Sequence, residues 1–230
     1  IKSEDGSGSL IFINNDFNLS NLVFKKLSKP RLENYILYGG VNFINSKVNL
    51  NNIFIKDSKN EDGINIINSK STLKNIYFNN MKADAFDVDF GELNFFNVSC
   101  LNINNDCLDI SGAKVTGQEL TIDKVFDKGI SVGEKSVVFI NDIKISNNNI
   151  ALAVKDGSSA HFEDVYLANN NFDIALFNKK KEFLKPSLKI DNITNLDEKK
   201  ILQSIDTKLM INNKKYLGNL NDGFINSKIY

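Results

Sequence analysis

The chain has 230 residues, 42% of them apolar, with two prolines and no tryptophan, which is long and patterned enough to bury a large core and excludes a disordered segment. Its 28 basic and 28 acidic residues cancel, so charge makes no case for nucleic acid or an anionic membrane surface as partner. No apolar run is long enough for membrane insertion, and the start, at Ile1 rather than Met, carries no signal-like segment, so we expect a piece of a larger chain.

Taken in order, Leu10 with Phe12 and Leu22 with Phe24 form a first pair of short strands. The same pattern returns 31 residues later at Val41, Phe43, Ile53 and Ile55, and the excess is expected as a projecting loop between about Lys25 and Gly40 that includes Pro30. From there the chain keeps a ruler. Val41, Ile64, Phe86, Leu108, Ile130, Leu152 and Ile174 are separated by 23 and then five times by 22, each followed two places on by another apolar residue. A second column, Ile53, Ile76, Val98, Leu120, Ile143, Val165 and Leu188, keeps step with it, and its partner column runs from Ile55 through Phe78 and Cys100 to Leu167 and Ile190.

An apolar-x-apolar pair puts both side chains on one face of a strand, and a fixed period of this size marks stacked repeats. The spacing therefore predicts an all-β fold: a right-handed parallel β-helix of about 22 residues per coil and about seven to eight coils. The hand rests on the general bias of parallel crossovers. Three stretches follow: residues 1–40 as an N-terminal coil with its inserted loop, 41–190 as regular coils, and 191–230 as a C-terminal cap with a last coil. The cap is expected because an open end would expose apolar columns and unpaired strand edges; its apolar pair is Leu209 and Ile211. Corners are expected at Asn80, Asn102, Lys124, Asn147 and Asn169, since asparagine tolerates a left-handed backbone and stacked amides bond along the coil axis. Cys100 is read as a small apolar residue of an inward column, unpaired with Cys107, and the redox compartment stays open.

The chemistry lies on outward positions of the first strand. One file reads Asn65, Asp87, Asp109, Ser131, Ala153, Ala175; a second reads Asp62, Asp84, Asp106, Lys128, Ile150, Phe172; a third reads Ile67, Asp89, Ser111, Gly133, Lys155, Phe177. The predicted ligand-binding wall is Asp62, Asn65, Asp84, Asp87, Asp89, Asn105, Asp106, Asp109, Lys128, Ser131 and Glu134. Carboxylates roughly 5 Å apart repel by about 3 kcal/mol per pair at an effective dielectric of 20, so a cation, a shared proton, bonds to Asn105 and Lys128, or hydration must offset that cost. Asp84, Asp87, Asp106 and Asp109 are the candidates both for a Ca²⁺ site and for catalysis; no cofactor is required by the pattern. His161, the one histidine, stands far from the wall and is read as an ordinary surface or partly buried residue.

These residues carry a resemblance. The pattern looks like the right-handed parallel β-helix of the pectate-lyase-like superfamily, and the stretches 82–90, 105–112, 127–134 and 153–158 look closest to uncharacterised bacterial and archaeal surface-type β-helix domains, some of them fused to spore-coat kinase-like or lamin-tail-like domains. Polygalacturonases offer a further comparison, because Asp84 and Asp106 match one aspartate in each of two motifs one coil apart. Asn105 replaces the neighbouring aspartate, Asp127-Lys128-Gly129 replaces Gly-His-Gly, and no Arg-x-Lys follows; Arg31 is the one arginine. The resemblance implies a non-catalytic, extracytoplasmic module, extracellular, at the cell surface or periplasmic, that recognises polysaccharide or another extended partner along the acidic wall. A polysaccharide lyase, epimerase or hydrolase is the alternative, and a rigid structural spacer the third reading.

Overall fold

The computed structural model describes residues 1–3, 8–28 and 37–230, and over these the chain winds into a parallel β-solenoid of about eight coils. Each coil contributes a short strand and a long one. The first four pairs are β1 (Leu10–Ile13) with β2 (Asp16–Lys25), β3 (Gly39–Ile44) with β4 (Lys47–Lys56), β5 (Asp62–Ile67) with β6 (Lys70–Met81), and β7 (Asp84–Asp89) with β8 (Glu92–Ile103). The next four are β9 (Leu108–Ser111) with β10 (Lys114–Val125), β11 (Lys128–Gly133) with β12 (Val137–Ser146), β13 (Ile150–Lys155) with β14 (Ser159–Ala168), and β15 (Phe172–Phe177) with β16 (Ser187–Thr194). The tail adds β17 (Ile201–Gln203), β18 (Lys208–Ile211), β19 (Lys214–Tyr216) and helix α1 (Asp222–Ile229). Short strands stack in the order β1-β3-β5-β7-β9-β11-β13-β15-β17, and long strands from β2 through β16 to β18 and β19.

The predicted columns stack in register. Leu10 lies on Val41 and Phe12 on Phe43, and Leu22 and Phe24 lie on Ile53 and Ile55, so the 31-residue first period holds; most of the expected loop, including Pro30 and Arg31, lies outside the described residues. The inward residues fill one continuous core that includes Phe43, Ile64, Phe78, Ile122, Leu152 and Phe162. All five expected corner residues have φ between 55° and 60°. Amide ladders run along the corners, with Asn68 Nδ2 donating to Asn45 Oδ1 at 2.8 Å and Asn80 Nδ2 to Asp57 Oδ1 at 2.8 Å.

The long strand carries a second inward limb that the two-column reading omits. In β4, Val48 and Leu50 face inward, Asn52 takes a φ of 57°, and Ile53 and Ile55 then face inward again. One left-handed residue resets the period-two alternation, which bends the strand around a third side of the tube. The same device recurs at Asn21, Asn75, Asn97, Glu119, Asp142, Asp164 and Asn192. In the extra column Gly117 follows Phe95, and a Cβ at 117 would lie 2.1 Å from the Phe95 ring, so the missing side chain is what gives that ring room.

Two readings need correction. Leu188 and Ile190 do not continue the columns of Val165 and Leu167: Leu188 stacks on Ala160, Ile190 on Phe162, and Val165 carries Ile193. The excursion at residues 178–186 lengthens that coil, and alternating leucine and isoleucine mimic the 22-residue beat one limb out of place. Cys100 is not a free thiol either. It forms a disulfide with Cys107, Cα–Cα 5.9 Å, because the turn into β9 folds the fully buried Cys107 back against it.

The tail caps the tube. β18 pairs with β16 in parallel, placing Leu209 on Leu188 and Ile211 on Ile190, and β19 closes the edge as an antiparallel partner of β18. Asn221 caps α1, accepting from the Phe224 N–H at 2.7 Å, and the helix seats Ile225 and Ile229 against Ile150, Ala153, Ala175 and Phe177 on the outer face of β13 and β15.

Candidate functional site on the outer face of the short strands

Parallel register brings the three predicted files into alignment. Asn65 pairs with Asp87, Asp87 with Asp109, Asp109 with Ser131 and Ser131 with Ala153. Asp62 pairs with Asp84, and Asp106 follows on the same side, its N–H donating to Asp84 Oδ1 at 2.7 Å. The Lys128 N–H repeats that step one coil on, donating to Asp106 Oδ1 at 3.0 Å. The Asp84 and Asp106 carboxylates thus each tie down the backbone of the next coil, whereas the Asp84 N–H donates to the Glu61 carbonyl and Asp62 is held by Asn65. The outward-pointing row is buried, with Asp62 and Asp106 each 3% exposed and Lys128 2%.

The middle file is accessible only at its centre: Asp87 and Asp109 are half-buried, as are Asp89 and Glu134 at its edge, while Asn65 and Ser131 are buried. Asn65 bridges the two rows, donating from Nδ2 to Asp62 Oδ2 at 2.9 Å and to Asp87 Oδ2 at 3.0 Å, and Asn105 Nδ2 donates to Asp84 Oδ1 at 2.6 Å. Asn65 Oδ1 and Ser131 Oγ are buried with no protein partner. Glu134 pairs with Lys180, which draws it toward the corner.

Cations enter at the C-terminal end of the wall. Lys128 Nζ lies 3.4 Å from Asp106 Oδ1 and also pairs with Asp127, while the Tyr230 ring covers it at 4.8 Å. Burial opposes the charge on Lys128, yet Asp106 and Asp127 hold its pKa above the ordinary lysine value. Lys155 is 7% exposed, and its stem runs past Gly133, where an added Cβ would stand 3.5 Å from Lys155 Cε. Burial works against its charge too, but Asp109 reverses the direction. Beyond the lysines the files turn apolar, and α1 covers them. The fading of the wall into Ala153, Ala175 and Phe177 is therefore a docking surface for the chain's own helix.

The acids answer burial by holding protons. Burial lifts Asp62 to about 7, and burial followed by neighbouring charge raises Asp84 (chiefly Asp106), Asp87 (chiefly Asp89) and Asp89 (chiefly Asp109). Burial raises Asp106 as well, against the pull of Lys128. A carboxyl whose folded pKa exceeds its unfolded value of about 3.9 carries a proton that the unfolded chain has released, so stability falls as pH climbs through that window. Melting temperature is accordingly expected to drop between pH 5 and pH 8.5. Asp87→Asn, which keeps an acceptor for Asn65, should flatten that slope and raise the melting temperature at pH 8.5; a rising profile would contradict the proton assignment.

Of the predicted residues, the structure gathers Asp62, Asn65, Asp84, Asp87, Asp89, Asn105, Asp106, Asp109, Lys128 and Ser131 on one wall, with Glu134 at its margin. Lys155 and Tyr230 belong to the same wall and were not among them. The lysine was visible as a member of the third file; the tyrosine arrives from the tail with no periodic signal. Among the described residues, no three of Asp84, Asp87, Asp106 and Asp109 bring oxygens within 4.8 Å of one another, and the set that does meet that distance is His161, Glu163 and Asp191.

The fold and site define a parallel β-solenoid with a buried acid and lysine face. No protein-family model matches the sequence, and no curated protein matches it. Among solved structures the chain is similar to QnrB1, a plasmid-mediated fluoroquinolone resistance protein, with a TM-score of 0.22 and 10% identity over 88% of this chain and 91% of that one. A likeness of that size carries no argument about function.

Proposed function

We propose that this solenoid is a non-catalytic, extracytoplasmic recognition module, of the pectate-lyase-like kind its sequence resembles, that binds a polysaccharide lengthwise along the short-strand face. The carrying observation is the half-buried pair Asp87 and Asp109, stacked one coil apart at about 4.8 Å between the buried Asn65 and Ser131 and beside a row of hydrogen-bonded acids. A carboxyl that holds its proton, as burial favours at Asp87, both donates and accepts hydrogen bonds, which suits a hydroxyl-rich, uncharged glycan better than a uronate polymer. A stiff sheet holds these groups in place before binding, which lowers the ordering cost of capturing a polymer. The disulfide supports an oxidising, extracytoplasmic setting.

An array of neutral and uronate oligosaccharides, followed by calorimetry on the best ligand with and without Ca²⁺, tests this reading. We expect binding that Asp87→Asn with Asp109→Asn weakens at least tenfold; no binding at high protein concentration would leave the rigid spacer. The enzymatic alternative has one specific support, a proton-holding acid, Asp84, beside the Asp106 and Lys128 ion pair, the kind of arrangement that separates acid from base. Release of reducing ends, unsaturated products or epimerised sugars from the same glycans would favour it over simple binding.

A further inference from the structure

On the long strands, β14 and β16 present His161 and Glu163 beside Lys189 and Asp191, with His161 in register with Lys189 and Glu163 with Asp191. His161 Nε2 lies 2.9 Å from Asp191 Oδ2 and 3.5 Å from Glu163 Oε1, and the three atoms all fall within 4.8 Å of one another. The Phe139 ring, edge-on at 5.3 Å from the coil before, buttresses the imidazole. We propose that His161, Glu163 and Asp191 bind one divalent transition-metal ion of the Zn²⁺ class.

One imidazole nitrogen and two carboxylate oxygens suit Zn²⁺, Ni²⁺ or Cu²⁺ rather than an all-oxygen Ca²⁺ site. Ligand atoms bound about 2.0–2.2 Å from a single ion stand roughly 3 Å apart, which the two measured separations bracket. Lys189 supplies the independent indication. Its Nζ lies 2.5 Å from Asp191 Oδ2 and 3.5 Å from His161 Nε2, so a positive charge already sits against two of the three donors. A metal ion replaces that ammonium, which swings into the adjoining groove of about 520 Å³ between His161, Ser187, Met210 and Lys215. The groove also gives water a way to the remaining coordination positions. Because the site lies on rigid strands of neighbouring coils, little ordering accompanies binding.

The single histidine makes the test direct. Zn²⁺ alone is titrated into the full chain near pH 7.5 while the His161 imidazole Cε1–H resonance is followed by NMR. We expect that resonance to shift or broaden at micromolar Zn²⁺. Lys189→Met should tighten binding by tenfold or more by removing the competing charge, and His161→Gln should weaken it by roughly 10- to 100-fold or more. Asp87→Asn with Asp109→Asn should leave it unchanged, which separates this site from the glycan wall. An unmoved resonance at millimolar Zn²⁺, or undiminished binding in His161→Gln, would overturn the proposal.

Discussion

Phe78→Ala is expected to remove about 3–5 kcal/mol of stability, the range for deleting a fully buried aromatic ring. Phe78 is 1% exposed and stands in the column between Ile55 and Cys100, with the Phe86 ring stacked 5.8 Å away across the tube. The cavity left behind would be bounded by strands above and below whose backbones are hydrogen-bonded on both sides, so the walls have little freedom to collapse into it. Denaturant midpoints read this loss without assuming a single cooperative transition, an assumption that stacked repeats can violate. A drop worth less than 1 kcal/mol would mean that the column is not packed as described.

Lys128→Met should cost a similar amount, about 3–5 kcal/mol near neutral pH, by leaving the Asp106 carboxylate buried without its cation. The two side chains are 3% and 4% exposed, which leaves solvent no way to replace the lost charge. The pH dependence distinguishes this from a packing effect. At acid pH Asp106 takes up a proton and the penalty shrinks; at alkaline pH it is largest. Adding Asp106→Asn should recover most of the loss, since the isosteric amide keeps the oxygen that accepts from the Lys128 N–H. A penalty indifferent to pH, or unrelieved by the second substitution, would show that the pair is not the source.

Much of the coil was legible because inward side chains of a parallel stack must recur once per turn, and Val41 to Ile174 obey that rule. The acid files were legible for the same reason: Asp87 and Asp109 sit on one face whenever Phe86 and Leu108 share a column. What escaped depended on local backbone. Asn52 and its counterparts shift the alternation by one residue, so the column of Leu50, Leu73 and Phe95 falls out of phase with a simple two-strand reading. Leu188 was assigned to the wrong limb because the 178–186 excursion breaks the period, and with it went the juxtaposition of His161 and Asp191. The disulfide depends on how one turn folds, and nothing in a count of two cysteines fixes that. Ala153, Ala175 and Phe177 occupy outward positions of the files, and only the three-dimensional path of the tail shows α1 lying across them.

Distances along the outward file Asn49, Thr72, Asn94, Thr116 and Phe139 test the winding itself. Spin labels on cysteines placed at 49 and 94, 49 and 116, and 49 and 139 span two, three and four coils, and the backbone separations should grow to about 10, 14 and 19 Å at about 4.8 Å per coil. A straight line of that slope, however far apart the labels lie in sequence, is the expected result. Separations that scatter, or that fail to increase from one pair to the next, would contradict the stacked coil and with it the alignment of Asp87 above Asp109.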